Sequence, residues 1–239
     1  MGKLMSEVKK KNVEAVKQCI AKGENPNTPT TGRNVTTPYL YAVMCSVWNE
    51  VSPELLEIVT FLTPHITDHY YRDLDGNDFN GNMFYSSYFG DLMSISRNIG
   101  DKDPTIEAML SGGYCFDKEP NFGRYIGTVS FPLAKKMLEQ FGIDDGTSVV
   151  SAAKAHNVEL VSYLLEQGAS PNQPIYSSNG SQSTALTTAI AYGNETIVKL
   201  LLEAGADPKI KDTGYEQDAF EMAESSSNDT IVALLQAAK

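Results

Sequence analysis

The sequence predicts an all-α fold assembled from repeated pairs of short helices. Three observations carry this expectation. Residues 184–209 (TALTTAIAYGNETIVKLLLEAGADPK) read as two helices back to back, with Leu186, Ala189 and Ile190 at i, i+3 and i+4 and a second apolar run through Ile197, Val198, Leu200, Leu201 and Leu202. Residues 147–172 align with that run without a gap, 37 residues upstream (184 − 147). Second-helix segments ending near glycine recur at 12–27, 104–113 and 132–142 and, without the glycine, at 53–62 and 229–238.

The fullest copy shows how the local chemistry works. Thr184 is a good N-cap, and Gly193-Asn194 breaks the first helix. Gly205 ends the second, because glycine takes the left-handed conformation at no steric cost. This run resembles the ankyrin repeat, with its T-P-L-H-x-A opening, turn Gly, Val/Leu-rich helix and G-A-D exit. Thr184, Leu186, Ala189, Gly193, Val198, Leu200, Leu201, Leu202, Gly205, Ala206 and Asp207 match, while Ala185 and Thr187 stand where Pro and His are usual. The resemblance implies an ankyrin-repeat solenoid of about seven helix-pair units with inter-repeat hairpin turns, from a period of about 33 residues. Each unit would bury its apolar face against its neighbours.

Taken in order, residues 1–31 form an N-terminal cap unit, 32–71, 72–118 and 119–143 irregular units, 144–178 and 179–212 regular units, and 213–239 a C-terminal cap. All seven belong to one array, 1–239. Thr37-Pro38-Tyr39-Leu40-Tyr41-Ala42 is the best copy of the opening, with Pro at the first helical position after a Thr cap. The second helix resumes only near Pro53, so an inserted loop around Trp48, the one tryptophan, is expected. Residues 73–77 (DLDGN) look like an inter-repeat turn, and 81–90 a degenerate first helix. Residues 120–131 barely resemble a first helix. The extra residues of the 37-residue spacing fall in a Ser/Asn/Gly-rich loop at 174–182.

Composition bounds the function. A hydrophobic content of 41% over 239 residues suits a folded protein, and no apolar run reaches the ~18 residues of a membrane span. The net charge of −11 argues against nucleic acid, which needs a basic footprint. Residues 1–22 carry six Lys and two Glu (+4), and 195–229 carry nine acidic and three basic residues (−6), an asymmetry that suits a partner with basic patches. Cys19, Cys45 and Cys115 form no disulfide or zinc spacing and fit a reducing cytoplasm. A monomer is expected for the free chain.

No phosphate-binding, dinucleotide, zinc-protease or nucleophile-elbow motif occurs. His65 and His69, four apart, lack an accompanying Glu, and a calcium loop at 73–78 fails at Asp78, where Gly is required. No metal, no cofactor and no catalysis are expected. The remote alternative is an enzyme site in the irregular 78–131 segment. The family resemblance instead implies a non-catalytic module that binds another protein through a concave surface of hairpin tips and first helices. Carried over by position, its contacts are Arg33, Asn34, Met44, Asp144, Lys154, Tyr192 and Tyr215. Trp48, Tyr85 and Tyr88 join them as aromatic anchors, since residues 69–89 hold seven of the chain's 21 Phe and Tyr. A dedicated acidic inhibitor of one enzyme or toxin is the alternative within this reading.

Overall fold

Asparagine starts four of the helices. The side chains of Asn12, Asn157, Asn194 and Asn228 accept hydrogen bonds from the backbone N–H groups of Ala15, Leu160, Ile197 and Ile231 at 3.1–3.2 Å. Each satisfies one of the donors that a helix start leaves without an intrahelical partner. Elsewhere proline does the equivalent work: Pro53, Pro104 and Pro132 sit in the first turn of their helices, where a missing N–H costs nothing. The computed structural model describes residues 2–30, 36–48, 51–66, 70–71, 86–87, 92–93, 99–116, 119, 122–142, 146–177, 180–226 and 228–238. They divide into two compact units, 1–97 with 101–120, and 98–100 with 121–239.

The first unit holds α1 (Lys3–Lys9), α2 (Val13–Ala21), α3 (Pro38–Trp48), α4 (Pro53–Leu62) and α5 (Asp103–Ser111), with a 3-10 turn at Thr63–His65. First helix packs on first helix (α1 on α3) and second on second (α2 on α4, α4 on α5). Leu4, Val8, Val16, Leu40, Leu55, Ile58, Ile106 and Met109 form the core. Thr37 caps α3 as expected, its Oγ1 accepting from Leu40 N–H at 3.0 Å.

Two expectations for this unit are corrected. The backbone is helical through Trp48, so the insertion in part extends α3 to 11 residues, against seven in α10 below, rather than opening a loop there. Within 81–90, Ser86–Ser87 is strand β2, paired antiparallel with β1 (Tyr70–Tyr71), not a degenerate helix. Aromatic-rich sequence with no helical period favours the extended backbone. The DLDGN turn at 73–77 lies outside the described residues.

The second unit begins with α6 (Phe122–Tyr125) and a 3-10 turn at Ile126–Thr128, together a compressed first helix. It continues with α7 (Phe131–Phe141), α8 (Thr147–Lys154), α9 (Val158–Glu166), strands β3 (Ile175–Tyr176) and β4 (Gln182–Ser183), α10 (Ala185–Ala191), α11 (Glu195–Glu203), α12 (Ala219–Ser226) and α13 (Asp229–Ala237). First helices α6, α8, α10 and α12 pack in one row, and second helices α7, α9, α11 and α13 in another. Thr184 closes a capping box with Thr187: each hydroxyl accepts from the other's backbone N–H, at 3.2 and 3.0 Å, so Thr replaces the usual His without loss of the cap. Ile197, Val198 and Leu201 face the core, while Leu202 is only half-buried. Gly205 (φ +85) ends α11, its N–H donating to Leu202 O and the N–H of Ala206 to Leu201 O.

Candidate functional site

The exposed surface of interest lies in the second unit, on two successive hairpins and the C-terminal ends of the first helices. In the hairpin of β3 and β4, Ile175 pairs with Ser183 and Tyr176 with Gln182. Its tip is closed by Ser177 N–H donating to Ser181 O (2.8 Å) and Gly180 N–H to Ser177 O (2.9 Å). The described residues of the Ser/Asn/Gly-rich insertion, 174–177 and 180–182, therefore belong to a hydrogen-bonded hairpin. In the next hairpin the backbones of Asp212 and Gln217 exchange hydrogen bonds at 2.8 and 3.2 Å. The Asp212 carboxylate accepts from the N–H groups of Gly214 and Tyr215, which fixes the turn.

The two hairpins are bonded to each other. Gln182 N–H donates to Thr213 Oγ1 (2.8 Å), Thr213 N–H donates back to Gln182 O (3.1 Å), and Gln182 Nε2 donates to Lys211 O (3.4 Å). Just before them, Asn172 Oδ1 accepts from Asp207 N–H at 2.7 Å while its Nδ2 donates to Gly205 O. Each hairpin presents a tyrosine to solvent: Tyr176 is 54% exposed and Tyr215 66%.

At the other end of α10, Tyr192 is 50% exposed and meets the His156 ring edge-on, centroids 5.6 Å apart. His156 Nδ1 lies 3.1 Å from Asn194 Nδ2, so imidazole, ring and helix cap form one contact group. Lys154 is exposed at the end of α8. The helices themselves offer little: Ser148 to Ala153 and Ala185 to Ile190 are buried throughout.

Of the predicted contacts, Lys154, Tyr192 and Tyr215 are exposed. Met44 is corrected: it is 6% exposed, packed in α3 beside buried Val43 and Cys45, and the free chain offers almost none of it as surface. Trp48 closes α3, and its side chain lies outside the described residues, as do Arg33, Asn34, Tyr85, Tyr88, Asp144 and His69. Tyr176 escaped the sequence reading. Its signal was the pair Ile-Tyr before a Ser/Asn/Gly cluster, a hairpin pattern.

Among the described residues no group of three or more His, Cys, Asp or Glu could hold a metal ion, and no helix is long and apolar enough to cross a membrane. The arrangement offers rigid aromatic and hydrogen-bonding surface.

Comparison with known proteins agrees with this geometry. The family model for ankyrin repeats (3 copies) matches residues 125–212. The chain is 31% identical over 108 residues to alpha-latrotoxin-Lg1a of Latrodectus geometricus, covering 42% of this chain and 8% of the toxin. It is 34% identical over 99 residues to the ankyrin repeat and KH domain-containing protein mask-1 of Caenorhabditis elegans, covering 41% of this chain and 4% of that protein. The chain thus spans a small fraction of both relatives. Among solved structures, the human ASB11 ankyrin repeat domain superposes with a TM-score of 0.60 at 17% identity, covering 100% of this chain and 98% of that one. The ankyrin repeat domain of Bcl-3 gives 0.62 at 18% identity, covering 99% and 98%. At these identities the likeness establishes the fold. With a family model matched over 125–212, repeat-to-repeat packing in each unit and structural neighbours spanning the chain, the protein has the ankyrin-repeat fold, and its residues 125–212 match the ankyrin repeat family.

Proposed function

We propose that this chain is a non-catalytic protein-binding module that takes its partner on the hairpin tips and the exposed ends of the first helices. Ankyrin repeats are generally protein–protein interaction modules and generally non-catalytic. The observation that carries the reading to this surface is the trio of exposed tyrosines, Tyr176, Tyr192 and Tyr215, on backbone already fixed by hydrogen bonds. A large, rigid aromatic ring loses little freedom on binding, which suits it to anchor an interface. A cytoplasmic location and a monomeric free state are part of the same proposal, on the strength of three scattered cysteines and the high net charge.

The test is affinity capture of the partner followed by titration against the triple variant Lys154→Ala, Tyr192→Ala, Tyr215→Ala. Loss of about tenfold or more in affinity, with the melting temperature unchanged, is expected if two or more of these are hot-spot contacts. Unchanged affinity would move the binding surface elsewhere.

A further inference from the structure

We infer that the surface around β3–β4 and the end of α10 takes an uncharged polar segment of its protein partner rather than a basic one. This rests on the protein-binding reading above and names what that site accepts. Residues 167–194 contain no Asp, Glu, Lys, Arg or His, in a chain that is 21% charged overall. That gap in charge holds the β3–β4 arm and all of α10, and with them Tyr176 and Tyr192. The arm itself, 173–183, reads QPIYSSNGSQS: one exposed tyrosine among serines, amides and a glycine. Recognition loops in antibodies share that mixture, in which tyrosine supplies contact area and small polar residues adaptable hydrogen bonding.

Several of the charges nearby are engaged within the chain, while Glu216 beside Tyr215 in the next hairpin and Lys154 at the end of α8 are exposed. The Asp212 carboxylate is buried and accepts two backbone N–H groups, Asp207 accepts from Lys209 N–H, and Lys211 lies 3.9 Å from Glu221. A lysine or arginine of the partner pressed onto 173–183 would lose water and gain no counter-charge there, which disfavours a basic partner at this spot. Hydroxyl and amide groups can re-form their hydrogen bonds with a neutral partner. The net charge of −11 then acts at long range, on the approach, and little on the bound state.

The experiment selects peptides from a random phage-displayed library on the full chain, then compares each synthesised peptide on the wild-type protein and on Tyr176→Ala/Tyr215→Ala. The expected peptides are poor in Lys and Arg, and lose about tenfold or more in affinity on the double variant. Their affinity changes less than about twofold between about 0.01 M and 1 M salt, where the screening length falls from about 30 Å to 3 Å. A paired sign test supports this: Ser177→Glu and Ser177→Lys lose the same hydroxyl, and both should weaken binding. Enrichment of Lys/Arg-rich peptides, a steep fall in affinity with salt, tighter binding by Ser177→Glu, or indifference to the two tyrosines overturns the inference and leaves the binding-module reading standing. Failure of both peptide selection and partner capture would remove both.

Discussion

Ser151 clamps Gly127. The Ser151 hydroxyl accepts from Gly127 N–H at 3.0 Å and donates to Arg124 O at 2.7 Å, tying the compressed first helix to α8. A Cβ added at Gly127 would lie 2.3 Å from the carbonyl of Ser151 and 2.6 Å from Ala152 N. Those atoms are helix backbone and cannot move aside cheaply. Gly127→Ala should therefore cost at least the ~1–3 kcal/mol of an overpacked core. Ser151→Ala, which leaves a buried N–H and a carbonyl without this partner, should cost about 1–3 kcal/mol. Urea denaturation of the two variants is the check, and an unshifted midpoint for Gly127→Ala would refute the close approach.

His156 occupies a slot built for glycine. Its φ is +59°, against +65° at Gly193 in the next repeat, and both N–H groups donate to the carbonyl three residues back. The left-handed region costs an ordinary L-residue roughly 1–2 kcal/mol. His156 offsets part of that through Tyr192 and Asn194. His156→Ala keeps the strain and loses those contacts, so it should be less stable than His156→Gly by about 1 kcal/mol, an ordering that thermal melts of both variants will show.

The repeat pattern was legible because it rests on local chemistry. Thr184, Gly205 and the apolar positions of α11 each act within a few residues of themselves, so spacing alone places them. The regular openings at Thr37 and Thr184 formed where expected for that reason. The second-helix caps went unread, although Asn followed by an acidic or apolar residue stands at 12, 157, 194 and 228. What spacing could not give is what depends on distant chain. Met44 looks like a surface position until neighbouring helices cover it. The length of α3 and the strand at Ser86 were misread because the T-P-L-H-x-A template sets a start but not an end. Tyr176 became visible only once the hairpin arm was seen to be bonded to Thr213.

The four asparagine caps are not equivalent. Asn12 makes its one cap bond at an exposed helix start. Asn157 is buried, and its amide also donates to the carbonyls of Gly127 and Val129 at 3.4 and 3.3 Å. Replacing Asn12 by Ala should cost about 1 kcal/mol, the usual loss of a cap. Asn157→Ala should cost about 2–3 kcal/mol more, because two buried carbonyls also lose a donor. Equal losses in a denaturant series would mean that the two longer bonds contribute nothing.

Lys102 gives the first unit a signature in pH. It precedes α5, and its side chain is 1% exposed. Burial disfavours the charged ammonium and pushes its pKa below the ordinary 10.5, while Asp101 and Asp103 on either side oppose the shift. In the unfolded chain the lysine returns to its ordinary value. Between the folded pKa and 10.5 the unfolded state therefore binds more protons than the folded one, and the wild-type protein gains stability as pH rises through that window. Lys102→Met has no such group. Whatever the offset between variant and wild type near neutrality, the stability of Lys102→Met relative to wild type should fall steadily as pH approaches 10.5. Unfolding free energies measured in urea from about pH 7 upward test the slope, which is insensitive to the packing difference between Lys and Met. A flat or rising difference would show that the surroundings of Lys102 hold its charge as well as water does.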